Sequence, residues 1–147
     1  ADWPARMQHL TGTSLNLLAP GADLWLDGGH NPAAGKALAK HLASLPKRPT
    51  HLICGMLNTK DVSGYMTPLA GVADDLTAVS IPGEKNTLSA DETAQAAEAV
   101  GLSAGTANSV EDALTKIAQS TANARVLICG SLYLAGHVLR SIATTDP

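Results

Sequence analysis

The sequence predicts an α/β fold: a Rossmann-like, open, mostly parallel sheet with helices on both faces. Three observations carry that reading. Short, predominantly apolar runs at Leu24 to Leu26, His51 to Cys54 and Val126 to Cys129 have the length and continuity of strands buried on both sides. Each run ends in a polar or glycine-rich turn, and a helical pattern follows the turn. This strand, turn, helix order recurs along the chain, as an open parallel sheet covered on two faces requires.

In chain order, Met7 to Leu10 and Leu15 to Leu18 are expected to form a small N-terminal hairpin around Thr11-Gly12-Thr13. The strand Leu24 to Leu26 comes next. A helix over Ala33 to Leu45 follows, with Ala34, Leu38, Leu42 and Leu45 on one face, Pro32 in its first turn and Pro46 stopping it. After the strand at His51, a further strand is expected over Leu76 to Ile81, closed by Pro82-Gly83. Ser89 with Glu92 forms a capping-box start, and Ser109 with Asp112 opens another helix. The strand at Val126 then leads to a last helix over Leu132 to Ile142. Leu-Ile-Cys-Gly occurs twice, which we read as two similar buried strands, since no repeat of fixed period accompanies it.

The chain has 147 residues, 45% hydrophobic and 16% charged, enough for one domain over residues 1–147 with a sizeable core. A net charge of −3 with scattered Lys and Arg argues against nucleic acid as a partner. No run of about 18 apolar residues suggests a membrane span, and Ala1 to Pro20 lacks the order of a signal peptide. A cytoplasmic, monomeric protein is therefore expected. Cys54 and Cys129 each lie in an apolar stretch and read as buried free thiols that act as small hydrophobes.

In open α/β sheets, ligands gather at the C-terminal ends of the strands. That rule selects Asp27 to Asn31, Gly55 to Asp61 and Gly130 to Tyr133. Asp27-Gly28-Gly29-His30-Asn31-Pro32 follows a strand and enters a helix. Two glycines allow a tight turn, Asp27 can accept hydrogen bonds from ribose hydroxyls, and the helix start favours an anion. The same residues equally suit a plain helix cap at Asn31, with Asp27 satisfying nearby backbone. His9, His41, His51 and His137 show no ligand spacing, and the sequence offers no metal site.

The Asp-x-x-His-Asn-Pro sequence after a strand resembles the C-terminal signature of folylpolyglutamate synthases and dihydrofolate synthases, of the Mur ligase superfamily. Three further matches fall in the same order: Trp3-Pro4-Ala5-Arg6-Met7-Gln8, Gly55-Met56-Leu57-Asn58-Thr59-Lys60-Asp61 and Cys129-Gly130-Ser131-Leu132-Tyr133. Two departures accompany them: Ala5 stands where the family usually has Gly, and Gly29 replaces a common Ala, which is expected to loosen that loop.

The resemblance implies that Arg6 meets the ATP phosphates across a domain cleft, that Asp27 meets the ribose and that His30 lies beside the nucleotide. It places Lys60 and Ser131 on the incoming L-glutamate, where an ammonium and a hydroxyl suit a carboxylate. From the residues alone, Arg6 reads equally as a solvated linker charge, Lys60 as a partner of Asp61 or a turn cap, and Ser131 as the cap of the final helix. Ser131 can do both.

The activity implied is ATP-dependent amide formation between L-glutamate and dihydropteroate, a folate or both, through an acyl phosphate, with no catalytic residue in this stretch itself. Such chemistry needs a P-loop and its Mg, yet nothing here matches Gly-x-x-x-x-Gly-Lys followed by Ser or Thr. Ala34-Gly35-Lys36 lacks the earlier glycine and the hydroxyl residue. The chain is thus expected to be one domain of a longer enzyme, with residues 1–8 as an interdomain linker, the P-loop domain elsewhere, and no ligase activity alone. The alternatives are another superfamily ligase of peptidoglycan or cyanophycin type, or a nucleotide-binding module without chemistry.

Overall fold

Gln8–Leu10 (β1), Asp23–Leu26 (β2), Thr50–Cys54 (β3), Asp75–Ala78 (β4), Ser103–Thr106 (β5) and Arg125–Cys129 (β6) form one sheet in the computed structural model, in the order β1-β2-β6-β3-β4-β5. The structure describes residues 6–58 and 61–145. Every neighbouring pair is parallel except β1 with β2. The helices between them are Ser14–Leu18 (α1), Pro32–Ser44 (α2), Val62–Ala70 (α3), Ala90–Ala99 (α4), Val110–Ser120 (α5) and Leu132–Thr145 (α6).

Strand alternation divides the core into two layers. Leu24, Leu26, Ile53, Val126 and Ile128 face one way, onto Leu15 of α1, Leu114 of α5 and Val138 of α6. Leu52, Cys54, Leu76, Leu127 and Cys129 face the other way, onto Leu38 of α2, Tyr65 and Met66 of α3 and Ala97 of α4. Strands β3 and β6 are buried at every residue because helices cover both of their faces, which explains their continuous apolar sequence.

The helix starts at Asn31, Ser89 and Ser109 occur where the sequence signals them. Asn31 Oδ1 accepts the Ala34 amide, and Ser89 and Glu92 exchange both hydrogen bonds of a capping box. Leu38 and Leu42 are buried on the expected face of α2.

The expected N-terminal hairpin is not formed. Residues Leu15 to Leu18 lie in α1, because Thr13 and Asn16 close a capping box that starts a helical turn. Only Leu15 of that turn is buried, while Leu17 is 81% exposed. β1 instead pairs antiparallel with β2, with Gln8 opposite Leu26. Strand β4 ends at Ala78, short of the expected Ile81; Val79 and Ile81 continue as a buried loop. Two elements gave no usable sequence signal. Strand β5 is an edge strand of small, mostly exposed residues, and α3 carries Pro68 in its interior.

Candidate functional site

The chain passes from β2 to β3 across the position that β6 later fills, so β6 sits between them. Register aligns their C-terminal ends: Leu26 is level with Ile128, and Cys129 with Cys54. The Asp27 amide donates to the Ile128 carbonyl at 2.9 Å, and the Gly55 amide donates to the Cys129 carbonyl at 3.2 Å. The three segments selected by the strand-end rule therefore leave the sheet side by side.

Close backbone approach locks this end of the sheet. Gly130 has φ 110°, and a Cβ there would lie 2.7 Å from the Gly55 carbonyl oxygen and 2.8 Å from Cys54 Sγ. A Cβ on Gly28 would lie 2.5 Å from Leu132 Cδ2, so the Asp27 loop rests on the start of α6. A side chain at Gly130 would push β3 and β6 apart at their C-terminal ends, whereas one at Gly28 would first displace the exposed Leu132 side chain.

Asp27 is only 6% exposed, more deeply buried than a ligand-facing strand-end carboxylate was expected to be. Its Oδ1 accepts the Met7 amide at 2.9 Å and its Oδ2 accepts the Gly29 amide at 2.8 Å. A ribose contact would have to use the lone pairs that remain. Gly29 is held rather than loosened. An Ala Cβ at this position would lie 2.6 Å from Ala34 Cβ, so glycine lets the loop pack onto α2.

Arg6 is exposed and immediately precedes the held Met7 amide, while His30 is exposed and immediately follows the held Gly29. The start of α2 is a thinner anion site than its sequence implied. Pro32 has no N–H and Asn31 takes the Ala34 amide, which leaves the helix dipole and the Ala33 amide, beside the exposed His30 ring, as its main attractions.

Ser131 is buried at 2% exposure, and its Oγ accepts the Tyr133 amide at 2.9 Å, so it caps α6 as one of its sequence readings required. That bond occupies an oxygen lone pair and not the hydroxyl hydrogen. Lys60 lies outside the described residues, as do Trp3, Pro4 and Ala5 of the first motif. The flanking residues are ordered by backbone contacts: the Asn58 amide donates to the Asn86 carbonyl, and Asp61 caps α3 through the Gly64 amide.

Beneath the cluster lie groups whose proximity the sequence did not disclose. Burial pushes the Tyr65 phenol well above its ordinary value, and Cys129, Cys54 and Asp27 nearby add to the effect. Its hydroxyl is buried against the thiols without a hydrogen bond of good geometry. The Cys54 thiol is likewise raised, by its interaction with Cys129 and by burial, and both cysteines are buried free thiols. Among the described residues no group of three or more His, Cys, Asp or Glu could hold a metal ion. No described helix is long and apolar enough to cross a membrane.

Residues 15–141 match the family model described as dihydrofolate synthetase, C-terminal domain. The dihydrofolate synthase/folylpolyglutamate synthase of Escherichia coli K12 is 31% identical over 117 residues, covering 79% of this chain and 27% of that protein. The probable dihydrofolate synthetase of Schizosaccharomyces pombe is 28% identical, covering 95% of this chain and 34% of that protein. Among solved structures, Escherichia coli FolC in complex with DHPP and ADP superposes with a TM-score of 0.80 at 25% identity, covering 100% of this chain and 33% of that one. Mycobacterium tuberculosis folylpolyglutamate synthase complexed with ADP gives 0.79 at 27% identity, covering 100% and 34%. The bifunctional synthase with Mn, AMPPNP and L-glutamate bound gives 0.77 at 26% identity, covering 97% and 32%. The chain thus spans about a third of the length of these relatives.

Proposed function

Because the chain belongs to the dihydrofolate synthetase C-terminal domain family, we propose that it serves as the C-terminal domain of an ATP-dependent ligase joining L-glutamate to dihydropteroate or a folate. The observation that carries this reading is the convergence of three motif-bearing strand ends, β2, β6 and β3, at the switch point of the sheet. The similar proteins with ADP, AMPPNP or L-glutamate bound supply the ligand classes.

In this reading the domain closes over substrates held mainly by a P-loop domain of the same protein, and it has no activity alone. Arg6 neutralises ATP phosphates and His30 lies beside the nucleotide; both are exposed at the strand-end cluster, as such contacts need. The acidic residue at the cluster, Asp27, already accepts two backbone amides. The residues here therefore suit the nucleotide better than Mg, which falls to the P-loop side. Ser131 holds the glutamate from the cap of α6, donating its hydroxyl hydrogen while its oxygen keeps the Tyr133 amide. Lys60 supplies the ammonium that pairs with a glutamate carboxylate. The contribution is positioning and charge neutralisation. A monomeric enzyme of the cytoplasm and of one-carbon metabolism fits this role.

The test is a split between substrates in the full-length protein. Lys60→Ala is expected to raise the KM for glutamate about tenfold or more with little change for ATP, the loss of a charge-assisted bond being worth roughly 1.5–3 kcal/mol. Ser131→Ala should act in the same direction more mildly. Equal effects on both substrates, or none, would remove the glutamate assignment.

A further inference from the structure

We propose that Thr87 is a positioning residue for the glutamate site: its hydroxyl closes the loop after β4, and that loop sets the Met56–Asn58 segment leading to Lys60. The proposal rests on the glutamate role of Lys60 given above and deepens it, adding the end of a fourth strand, β4, to the site.

Past the end of β3 the chain changes partners. The Gly55 amide still donates to the Cys129 carbonyl of β6. Beyond it the Leu88 amide donates to the Met56 carbonyl at 2.8 Å, the Asn58 amide donates to the Asn86 carbonyl at 2.9 Å, and Leu57 forms an antiparallel bridge with Thr87. Residues 56–58 are therefore ordered by residues 86–88 and not by the sheet.

Residues 86–88 are in turn held by one hydroxyl. After β4 the chain runs outward through the buried Ile81, turns at Pro82-Gly83 with φ 77° at Gly83, and returns at Thr87. The Ile81 amide donates to Thr87 Oγ1 at 3.1 Å, while the hydroxyl hydrogen reaches the Leu88 carbonyl at 2.9 Å or the Met56 carbonyl at 3.4 Å. A hydroxyl accepts and donates at once, so this group joins the outgoing limb of the loop to the returning one, beside the Met56–Asn58 segment. Valine has nearly the same shape and neither function, and it would leave the Ile81 amide without this partner.

The lever on the glutamate site is short. Asn58 is held by Asn86, and Asp61 Oδ1 accepts the Gly64 amide at 2.8 Å to cap α3. Only Thr59 and Lys60 lie between these two fixed residues. A displacement of Asn58 is passed on to Lys60, because few backbone dihedrals separate them.

The experiment compares Thr87→Val with Thr87→Ser in the ligase in which this chain is proposed to serve, reading kcat, the KM for glutamate and for ATP, and hydrogen exchange at the Ile81 and Asn58 amides. Thr87→Val is expected to raise the KM for glutamate roughly two- to tenfold, as the loss of one neutral hydrogen bond does, with less than about a twofold change for ATP. Both amides should exchange faster. Thr87→Ser keeps the hydroxyl and should restore the glutamate KM and the exchange rates. In a Lys60→Ala background the valine substitution should add little, because it acts through Lys60. Equal shifts for both substrates, an unchanged glutamate KM, unchanged Asn58 exchange, a serine variant as impaired as the valine one, or losses that multiply in full with Lys60→Ala would each overturn the proposal. If Thr87→Val does not fold, Thr87→Ala enters the same comparison with the same expected split. Should Lys60→Ala alone leave glutamate use unchanged, the glutamate reading of Lys60 has failed, and Asn58 exchange still decides whether Thr87 orders the segment.

Discussion

Gly130→Ala probes the junction on which the whole site rests. The glycine has φ 110°, and an added Cβ would lie 2.7 Å from the Gly55 carbonyl oxygen and 2.8 Å from Cys54 Sγ. Neither neighbour can yield cheaply, since one is backbone and the other belongs to a fully buried strand. Strained backbone costs about 1–3 kcal/mol, and overpacking a filled core costs a further ~1–3 kcal/mol. The expected loss is therefore about 2–6 kcal/mol, a large share of the roughly 5–15 kcal/mol that holds a domain together. Gly105→Ala is the matched control. It lies in edge strand β5, its added Cβ would have nothing within 4 Å, and it should change stability by no more than about 1 kcal/mol. Urea unfolding of both variants beside the wild type measures the difference. A Gly130→Ala loss below about 1 kcal/mol, or an equal loss at Gly105, would refute the close-packed junction of β3 and β6.

Tyr65→Phe should leave stability unchanged or raise it by up to about 1 kcal/mol, because the hydroxyl is buried without a good partner; a clear loss in urea unfolding would reveal a hydrogen bond. Asp23 gives a pH signature. Burial alone would raise its carboxyl, but the nearby Trp25 indole and the hydrogen bonds from Arg125 and His9 more than offset this and lower it. A depressed folded-state value means stability that is present above the unfolded value of about 3.9 and lost as pH falls through the lower folded value. The stability gap between wild type and Asp23→Asn should therefore shrink as pH falls below about 4; a gap at about pH 3 as large as at about pH 5 would contradict the assignment.

Buried strands and capped helices were legible because their signals are local. Continuous apolar runs at β3 and β6, and hydroxyl or amide caps at Asn31, Ser89 and Ser109, need no knowledge of the rest of the fold. The elements that escaped lack such signals. Strand β5 draws its stability from pairing with β4 and exposes most of its small side chains, while Pro68 disguises α3 as a turn. Leu15 to Leu18 read as a hairpin strand because Thr11-Gly12-Thr13 looks like a turn, whereas Thr13 and Asn16 close a capping box that starts α1 there.

In the site, the motifs named the segments and the strand-end rule placed them together, but the use of Asp27 could not be read in advance. Its bond to Met7 spans 20 positions and exists only because β1 pairs with β2 rather than with residues 15–18. The phenol of Tyr65 beneath the cysteines is equally a product of tertiary packing, brought there by α3 against α2, where a Cβ on Gly35 would meet the Tyr65 carbonyl.

Turnover by the ligase in which this chain is proposed to serve tests the account most directly. Purified enzyme would be given ATP, L-glutamate and a panel of acceptors: dihydropteroate, folates and aspartate-containing peptides. ADP release and the mass of the product are then followed. The account predicts glutamate-dependent ADP formation and a glutamylated pteridine product, sharply reduced by Arg6→Ala. ADP formation and product only with the non-pteridine acceptors, or no glutamylated product with any acceptor, would contradict it.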